Sequence, residues 1–217
     1  MLETQQLIQF FFFMVVFLFS LSIHEAAHAW TAERFGDSTA RYLGRVTLNP
    51  IAHIDLIGTI IFPTIAFFSG ALLFGWAKPV PWNPLNVSDR RKADIWISAA
   101  GPISNLVLVG IFLLVIKLFQ SYQMVGGVIG GTILEPLYRM CVMGIFLNMT
   151  LAVFNLLPIP PLDGSHILPH FLPPNLARSY DQIRPYGFIL LLACLYLGVL
   201  GLVLSPFTQL IRFILSL

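Results

Sequence analysis

Long apolar runs separated by short polar stretches make up most of the chain. Four of them, roughly residues 7 to 30, 95 to 119, 137 to 157 and 183 to 204, reach or approach the length of about 20 residues that crosses a bilayer. Each predicts a transmembrane helix. A fifth stretch, "LIGTIIFPTIAFFSGALLFG" at 56 to 75, is as long but is interrupted by Gly58, Pro63, Gly70 and Gly75. Proline inside a helix kinks or breaks it, so hydropathy alone leaves a crossing and a re-entrant hairpin both open. The C-terminal "SPFTQLIRFILSL" carries Arg212 in its middle, which predicts a short interfacial helix after Pro206.

The polar stretches are short. In "ERFGDSTARYLGRVTLNPIAHID" the β-branched "RVTL" at 45 to 48 predicts a short strand ahead of a turn at Asn49-Pro50. "WAKPVPWNPLNVSDRRKAD", rich in Pro and Asn, predicts an extended segment. No repeat stands out, and nothing is long enough for a separate soluble domain. The expectation is one membrane-embedded domain over residues 1 to 217, with a core at 7 to 170 and C-terminal helices at 181 to 217.

Composition agrees. The chain is 57% hydrophobic and 10% charged with a mean hydropathy of +0.84, whereas soluble domains carry about a quarter charged residues. The net charge of +2 rests on basic residues clustered between apolar runs, the pattern of topology signals rather than of a nucleic-acid footprint. Nucleic acid is set aside as a partner. Cys141 and Cys194 lie inside apolar runs without metal-pair spacing and read as packing residues. No cleavable leader is expected, because Glu3 stands where a basic segment would and the first run continues into His24.

Polar chemistry concentrates in that first run. His24, Glu25 and His28 form HExxH, and positions i and i+4 of a helix share one face, so two imidazoles can grip one metal ion. Glu25 stands where a carboxylate can act as general base toward water. Chance composition gives this pattern with a probability of roughly 0.002, and ionisable groups within a span point to function.

A catalytic zinc takes three protein ligands and keeps one position open. The extension HExxHxxGxxH is absent, since Thr31 and Arg34 occupy its places, so the third ligand comes from elsewhere. His53 and Asp55 fall in the polar loop and Glu135 at the start of a span. In "FNLLPIPPLDGSHILPH" at 154 to 170, Pro158, Pro160 and Pro161 prevent helix continuation. Asp163 is therefore placed on irregular backbone, which at membrane depth must be buried in protein or line a wet cavity. Asp163 is the expected third ligand. His166 competes, but it lies beyond the Asp163-Gly164 turn, where a supporting role is favoured. His170 reads as interfacial and His53 as a loop or cap residue.

HEAAH at 24 to 28, GPISN at 101 to 105 and NLLPIPPLDG at 155 to 164 together resemble the site-2 protease family of intramembrane zinc metalloproteases. The three motifs follow the family's order over about two thirds of the chain. The resemblance implies one Zn2+ per chain held by His24, His28 and Asp163, with Glu25 activating water. It also implies that Asn155 holds the substrate carbonyl or its developing oxyanion. Asn105 has two readings, a substrate contact and an interhelical hydrogen bond, and Gly101 allows close helix approach. No PDZ domain is expected between the spans and no CBS domain after them, so the chain resembles the small members. The implied activity is endoproteolysis within or beside transmembrane segments of other proteins, as in regulated intramembrane proteolysis. The implied partners are transmembrane substrates and the lipid bilayer, with substrate and oligomeric state undetermined. A membrane metal transporter or sensor built on the same His and Asp cluster is the rival reading; Glu25 separates them, because a carrier needs no general base.

For His24, His28 and Asp163 to share one ion, the 7 to 30 and 137 to 157 spans must run in the same direction. The 95 to 119 span crosses back between them, so residues 56 to 75 must enter and leave on one side. This predicts a re-entrant segment bent between Pro63 and Gly70. Gly75, Trp76, Ala77 and Lys78 then return to the catalytic face, where their edge could pair with an unwound substrate strand, although Lys78 also fits a plain interfacial charge. Basic residues exceed acidic ones in the loops on that face, which predicts a multi-pass cell-membrane protein with its active site opening to the cytoplasm. The predicted fold is thus an all-α polytopic membrane protein. Three transmembrane helices surround the zinc site, supplemented by a re-entrant segment, short β-strands and C-terminal helices.

Overall fold

The computed structural model describes residues 2–70, 75–124 and 126–216. Helix α1 (Leu2–Arg34) is followed by a single turn, α2 (Thr39–Tyr42). A π-helical turn at Leu56–Ile61 leads into α3 (Phe62–Ser69). The long helices α4 (Arg90–Met124) and α5 (Leu134–Asn155) come next. After them lie α6 (Gly164–Ile167), α7 (Pro174–Asp181), α8 (Gly187–Tyr196) and α9 (Val199–Ser216).

Four helices among the described residues are long and apolar enough to cross a membrane: Thr4–Arg34, Arg90–Met124, Leu134–Asn155 and Val199–Ser216. Helices α1, α4 and α5 pack against one another, and α9 covers the outer side of α5. Val109 and Ile116 of α4, Cys141 and Ile145 of α5 and Ile211 of α9 form one buried cluster. Phe13, Phe17 and Leu21 of α1 form another with Ala77. Outward-facing Phe11, Phe19, Val107, Ile111 and Leu118 remain exposed, as helix faces in lipid do. Association between such faces rests on close packing and interhelical hydrogen bonds rather than on escape from water.

Three expectations are corrected. The run 183 to 204 is not one helix: Gly198 adopts φ +71° and, as a residue without Cβ, ends α8 in a left-handed turn. The C-terminal element long and apolar enough to cross is α9, with Pro206 inside it, so the tail forms a longer helix than the short one expected after Pro206. No strand forms among the described residues, because "RVTL" finds no partner strand. Asn49 instead accepts from the backbone of Ile51 and caps a 3-10 turn at Pro50–Ala52.

The 56 to 75 stretch is partly described, residues 71–74 lying outside the described set. Asp55 caps its start, accepting from the backbone of Ile57 at 3.1 Å and Gly58 at 2.7 Å. The helical part, Leu56–Ser69, would rise no more than about 21 Å even at the α-helical 1.5 Å per residue, short of the hydrocarbon thickness of about 30 Å. Beyond it the chain is back at its starting point. Trp76 N–H donates to Gly58 O at 3.1 Å and Thr59 Oγ1 donates to Trp76 O at 2.8 Å. The following residues run extended, with Lys78 N–H donating to His53 O at 2.9 Å.

Asp37, wholly buried, fastens the polar loops. Its carboxylate accepts from Thr39 Oγ1 at 2.6 Å, Asn83 N–H at 2.6 Å and Asn86 Nδ2 at 2.7 Å. Burial works against its charge, but these donors outweigh burial and hold its pKa below the ordinary carboxylate value.

Candidate metal centre

His24 and His28 project from one face of α1 toward α4, one helical turn apart. Their Nε2 atoms lie 3.0 Å from each other, and 3.2 and 3.5 Å from Oδ2 of Asp163. Ligands on a tetrahedral ion with bonds of 2.0 to 2.1 Å stand about 3.3 to 3.4 Å apart. The observed triangle is of that size, and this group of three metal-type ligands is close enough to hold an ion.

The far side of each imidazole fixes which nitrogen carries hydrogen. His28 Nδ1 lies 2.6 Å from the carbonyl oxygen of Ile97, which can only accept, and His24 Nδ1 lies 2.6 Å from Oδ1 of Asn105. Both Nδ1 atoms therefore donate, and in neutral rings both Nε2 atoms direct lone pairs inward. Oδ2 of Asp163 is buried without a hydrogen-bond partner. Three buried lone-pair donors facing one another repel unless a cation lies between them, so the residues fit a zinc-type ion.

Asn105 belongs to a longer chain of hydrogen bonds. Its Nδ2 donates to Oδ1 of Asn148 at 2.8 Å, and Nδ2 of Asn148 donates to Ser20 Oγ and Gly144 O, each at 2.8 Å. Ser20, Asn105 and Asn148 are all fully buried, and they tie α1, α4 and α5 together behind His24. Asn105 thus stands behind an imidazole, makes an interhelical hydrogen bond to Asn148 and is not among the residues that wall the cleft. Asn148 and Ser20 were missed in the sequence. The one available signal was an amide alone in "IFLNMTLAVF", since a polar residue in a span usually has a partner.

Glycine permits the close approach of α4. A Cβ at Gly101 would collide with both His24 and His28. Asp163 enters from the segment after α5. It occupies the N-cap position of α6, but its carboxylate makes no capping bond there and turns to the imidazoles instead. A Cβ at Gly164 would strike the backbone of Leu156 and Leu157, so the Asp-Gly pair lets this turn fold against the end of α5.

The cluster opens on a cleft of about 620 Å³. Glu25, Asn155, Gly75, Trp76, Ala77 and His166 also wall it; Lys78 does not, and meets the site only through its neighbours. Asn155 Nδ2 donates to Leu151 O at 3.0 Å. A second, apolar cavity of about 700 Å³ between α1, α5 and the C-terminal helices adjoins the first through Gly75, Leu151 and Phe154. His170, expected at an interface, pairs with Asp94 Oδ2 at 2.8 Å, and His53 is a fully buried loop residue whose Nε2 faces Thr47 O at 2.9 Å.

Three features coincide: an HExxH helix, a carboxylate delivered from a proline-broken segment, and long apolar helices around both. They define a membrane metallopeptidase of the site-2 protease type, and the chain belongs to Peptidase family M50, whose sequence pattern matches residues 12–194. It is 38% identical over 192 residues to YwhC of Bacillus subtilis (strain 168), a candidate zinc metalloprotease by name, covering 88% of this chain and 82% of YwhC. It is 31% identical over 182 residues to Rip2 of Mycolicibacterium smegmatis and 29% over 187 residues to Rip2 of Mycobacterium tuberculosis (strain H37Rv), both also candidate zinc metalloproteases by name. The matches cover 82% and 83% of this chain, and 64% and 66% of those Rip2 proteins. No solved structure matches the chain.

Proposed function

We propose that the protein is a zinc endopeptidase that hydrolyses peptide bonds in or beside transmembrane segments of other membrane proteins. The observation that carries this reading is the convergence of His24, His28 and Asp163 in one triangle, with Glu25 on the wall of the same cleft.

A bound zinc ion would supply Lewis acidity and lower the pKa of water toward 7. His24, His28 and Asp163 are the residues that would hold it. Glu25, 8% exposed, takes a proton from the attacking water and passes it to the leaving amine. Asn155, at the end of α5, turns its amide from Leu151 O toward the scissile carbonyl and donates to that oxygen as charge builds there.

The substrate must also be presented. Alternate residues of an extended segment direct their backbone groups to opposite edges. Trp76 and Lys78 are tied to Gly58 and His53, which leaves the edge of Gly75 and Ala77 facing the cleft for an unwound substrate strand. The adjoining apolar cavity suits the substrate's helical remainder. In this reading Leu56–Ser69 dips into the bilayer and returns, and residues 1 to 217 act as one membrane domain in the cell membrane. The metal faces the cytoplasm, the side favoured by Arg34, Arg41, Arg45, Arg90, Arg91 and Lys92.

The deciding experiment is cleavage of a synthetic transmembrane peptide by the purified protein in detergent. Glu25→Gln should retain zinc and lose cleavage, and Asp163→Ala should lose both. Undiminished cleavage by Glu25→Gln, or zinc uptake into vesicles without any peptide hydrolysis, would overturn the proposal in favour of another chemistry or a transporter.

A further inference from the structure

Beside the catalytic cleft lies a second pocket, of about 550 Å³, whose walls include Arg90, Arg91, Arg184, Asp94, His166 and His170. Its chemistry is unlike that of the metal cluster. Three guanidiniums from two separate parts of the chain, the first turn of α4 and the turn before α8, share its walls with a single carboxylate, Asp94. That carboxylate is already engaged: His170 Nε2 lies 2.8 Å from Asp94 Oδ2, and His166 Nδ1 lies 3.8 Å from Asp94 Oδ1. Arg91 is held in place by donating to the backbone oxygen of His170 at 2.6 Å, and Arg184 pairs through Nε with Asp181 at 2.9 Å. Arginine has five N–H donors, so each retains donors for a ligand.

The excess of positive charge opposes a second metal ion, Asp94, His166 and His170 are not among the groups close enough to hold one, and the arginines point to an anion. Its walls identify the source. Trp82 and His166 wall both this pocket and the catalytic cleft, so whatever occupies the cleft continues into it. Apart from Trp82 and a proline, the walls are charged or imidazole groups, which offers no slot for acyl chains and disfavours a phospholipid headgroup. A carboxylate on the substrate itself meets both conditions, and planar guanidinium pairs recognise carboxylates through two parallel hydrogen bonds.

We propose that this pocket is a specificity subsite that binds an acidic side chain of the peptide substrate about two to four residues from the scissile bond. The spacing follows from the fold. His166 lies one turn of α6 beyond Asp163, about 5 Å, the arginine side chains lie a few ångströms further, and an extended peptide advances about 3.3 Å per residue. The inference rests on the peptidase reading given above.

The test uses synthetic transmembrane peptides in detergent that share one cleavage site and carry a single Glu or Gln at successive distances from it. For the intact enzyme, Glu at one or two adjacent positions should raise kcat/KM over Gln by about five- to tenfold. The same preference should appear in the affinity of the Glu25→Gln enzyme, which needs no cleavage. The Arg90→Gln, Arg184→Gln double variant should bring the Glu to Gln ratio to about one, and Arg90→Lys with Arg184→Lys should restore part of it. A ratio near one at every position in the intact enzyme overturns the subsite, as does a preference undiminished in the double glutamine variant. A response confined to phosphatidylglycerol against phosphatidylcholine vesicles also overturns it, assigning the pocket to lipid phosphate. Glu preference in affinity with no hydrolysis of any peptide would uphold the pocket while refuting the peptidase.

Discussion

Oδ1 of Asn105 stands 2.6 Å from Nδ1 of His24, so the proton that orients this imidazole is fixed from a different helix. Removing the acceptor frees the ring to rotate and to change tautomer. Partners of this kind typically contribute ten- to a hundredfold to metal affinity. Asn105→Leu should weaken zinc binding by about that factor in a chelator competition titration, while Asn105→Asp, which keeps an acceptor, should retain it. Equal affinity in all three proteins would show that the contact does not position the ring.

Asn148 stands further from the metal, and its loss should be felt first in stability. Asn148→Ala leaves Nδ2 of Asn105 and Oγ of Ser20 without partners inside the bundle. Interhelical hydrogen bonds in membrane proteins average about 0.6 kcal/mol and reach about 1.7, so a cost between those values is expected in unfolding titrations in detergent. Ser20→Ala, which removes one bond, should cost less than Asn148→Ala, which removes several.

Gly101→Ala inserts a methyl where two imidazoles stand, and neither long helix can withdraw without disturbing its other contacts. Zinc content should fall sharply although far-UV circular dichroism stays helical. Gly110→Ala on the same helix meets nothing within 4 Å and should leave zinc content unchanged. The pair separates local obstruction from a general intolerance of α4.

Acid should loosen the loops through Asp37. Its folded pKa is depressed, so the stability it contributes is present above the unfolded value near 4 and is lost as pH falls below it toward the folded pKa. Hydrogen exchange of residues 80 to 90 should quicken over that window. Asp37→Asn should exchange quickly at neutral pH and lose this component of the pH dependence.

The metal triangle was legible in the sequence because each part obeys a local rule. HExxH relies on helical periodicity alone, and Asp163 was exposed as a ligand candidate by prolines that forbid a helix around it. The hydrogen-bond chain behind His24 was not legible: which depth of α5 faces which depth of α4 depends on packing between helices, and no local pattern encodes it. The C-terminal break was hidden for another reason. No charge or proline interrupts residues 186 to 204, and only the left-handed backbone of Gly198 marks the end of α8. The expected strand at 45 to 48 had the right residues but no neighbour to pair with. The basic pocket drew residues from 90 to 94, 166 to 170 and 184, which only the tertiary fold assembles.

Two of the three triangle residues sit on α1, and the third lies on a proline-rich turn far along the chain. Any cation gripped by all three therefore closes a very large loop, and occupancy and folding become linked equilibria. Metal supply would then bear on how long the protein survives, because the ion would clasp α1 to the turn that follows α5.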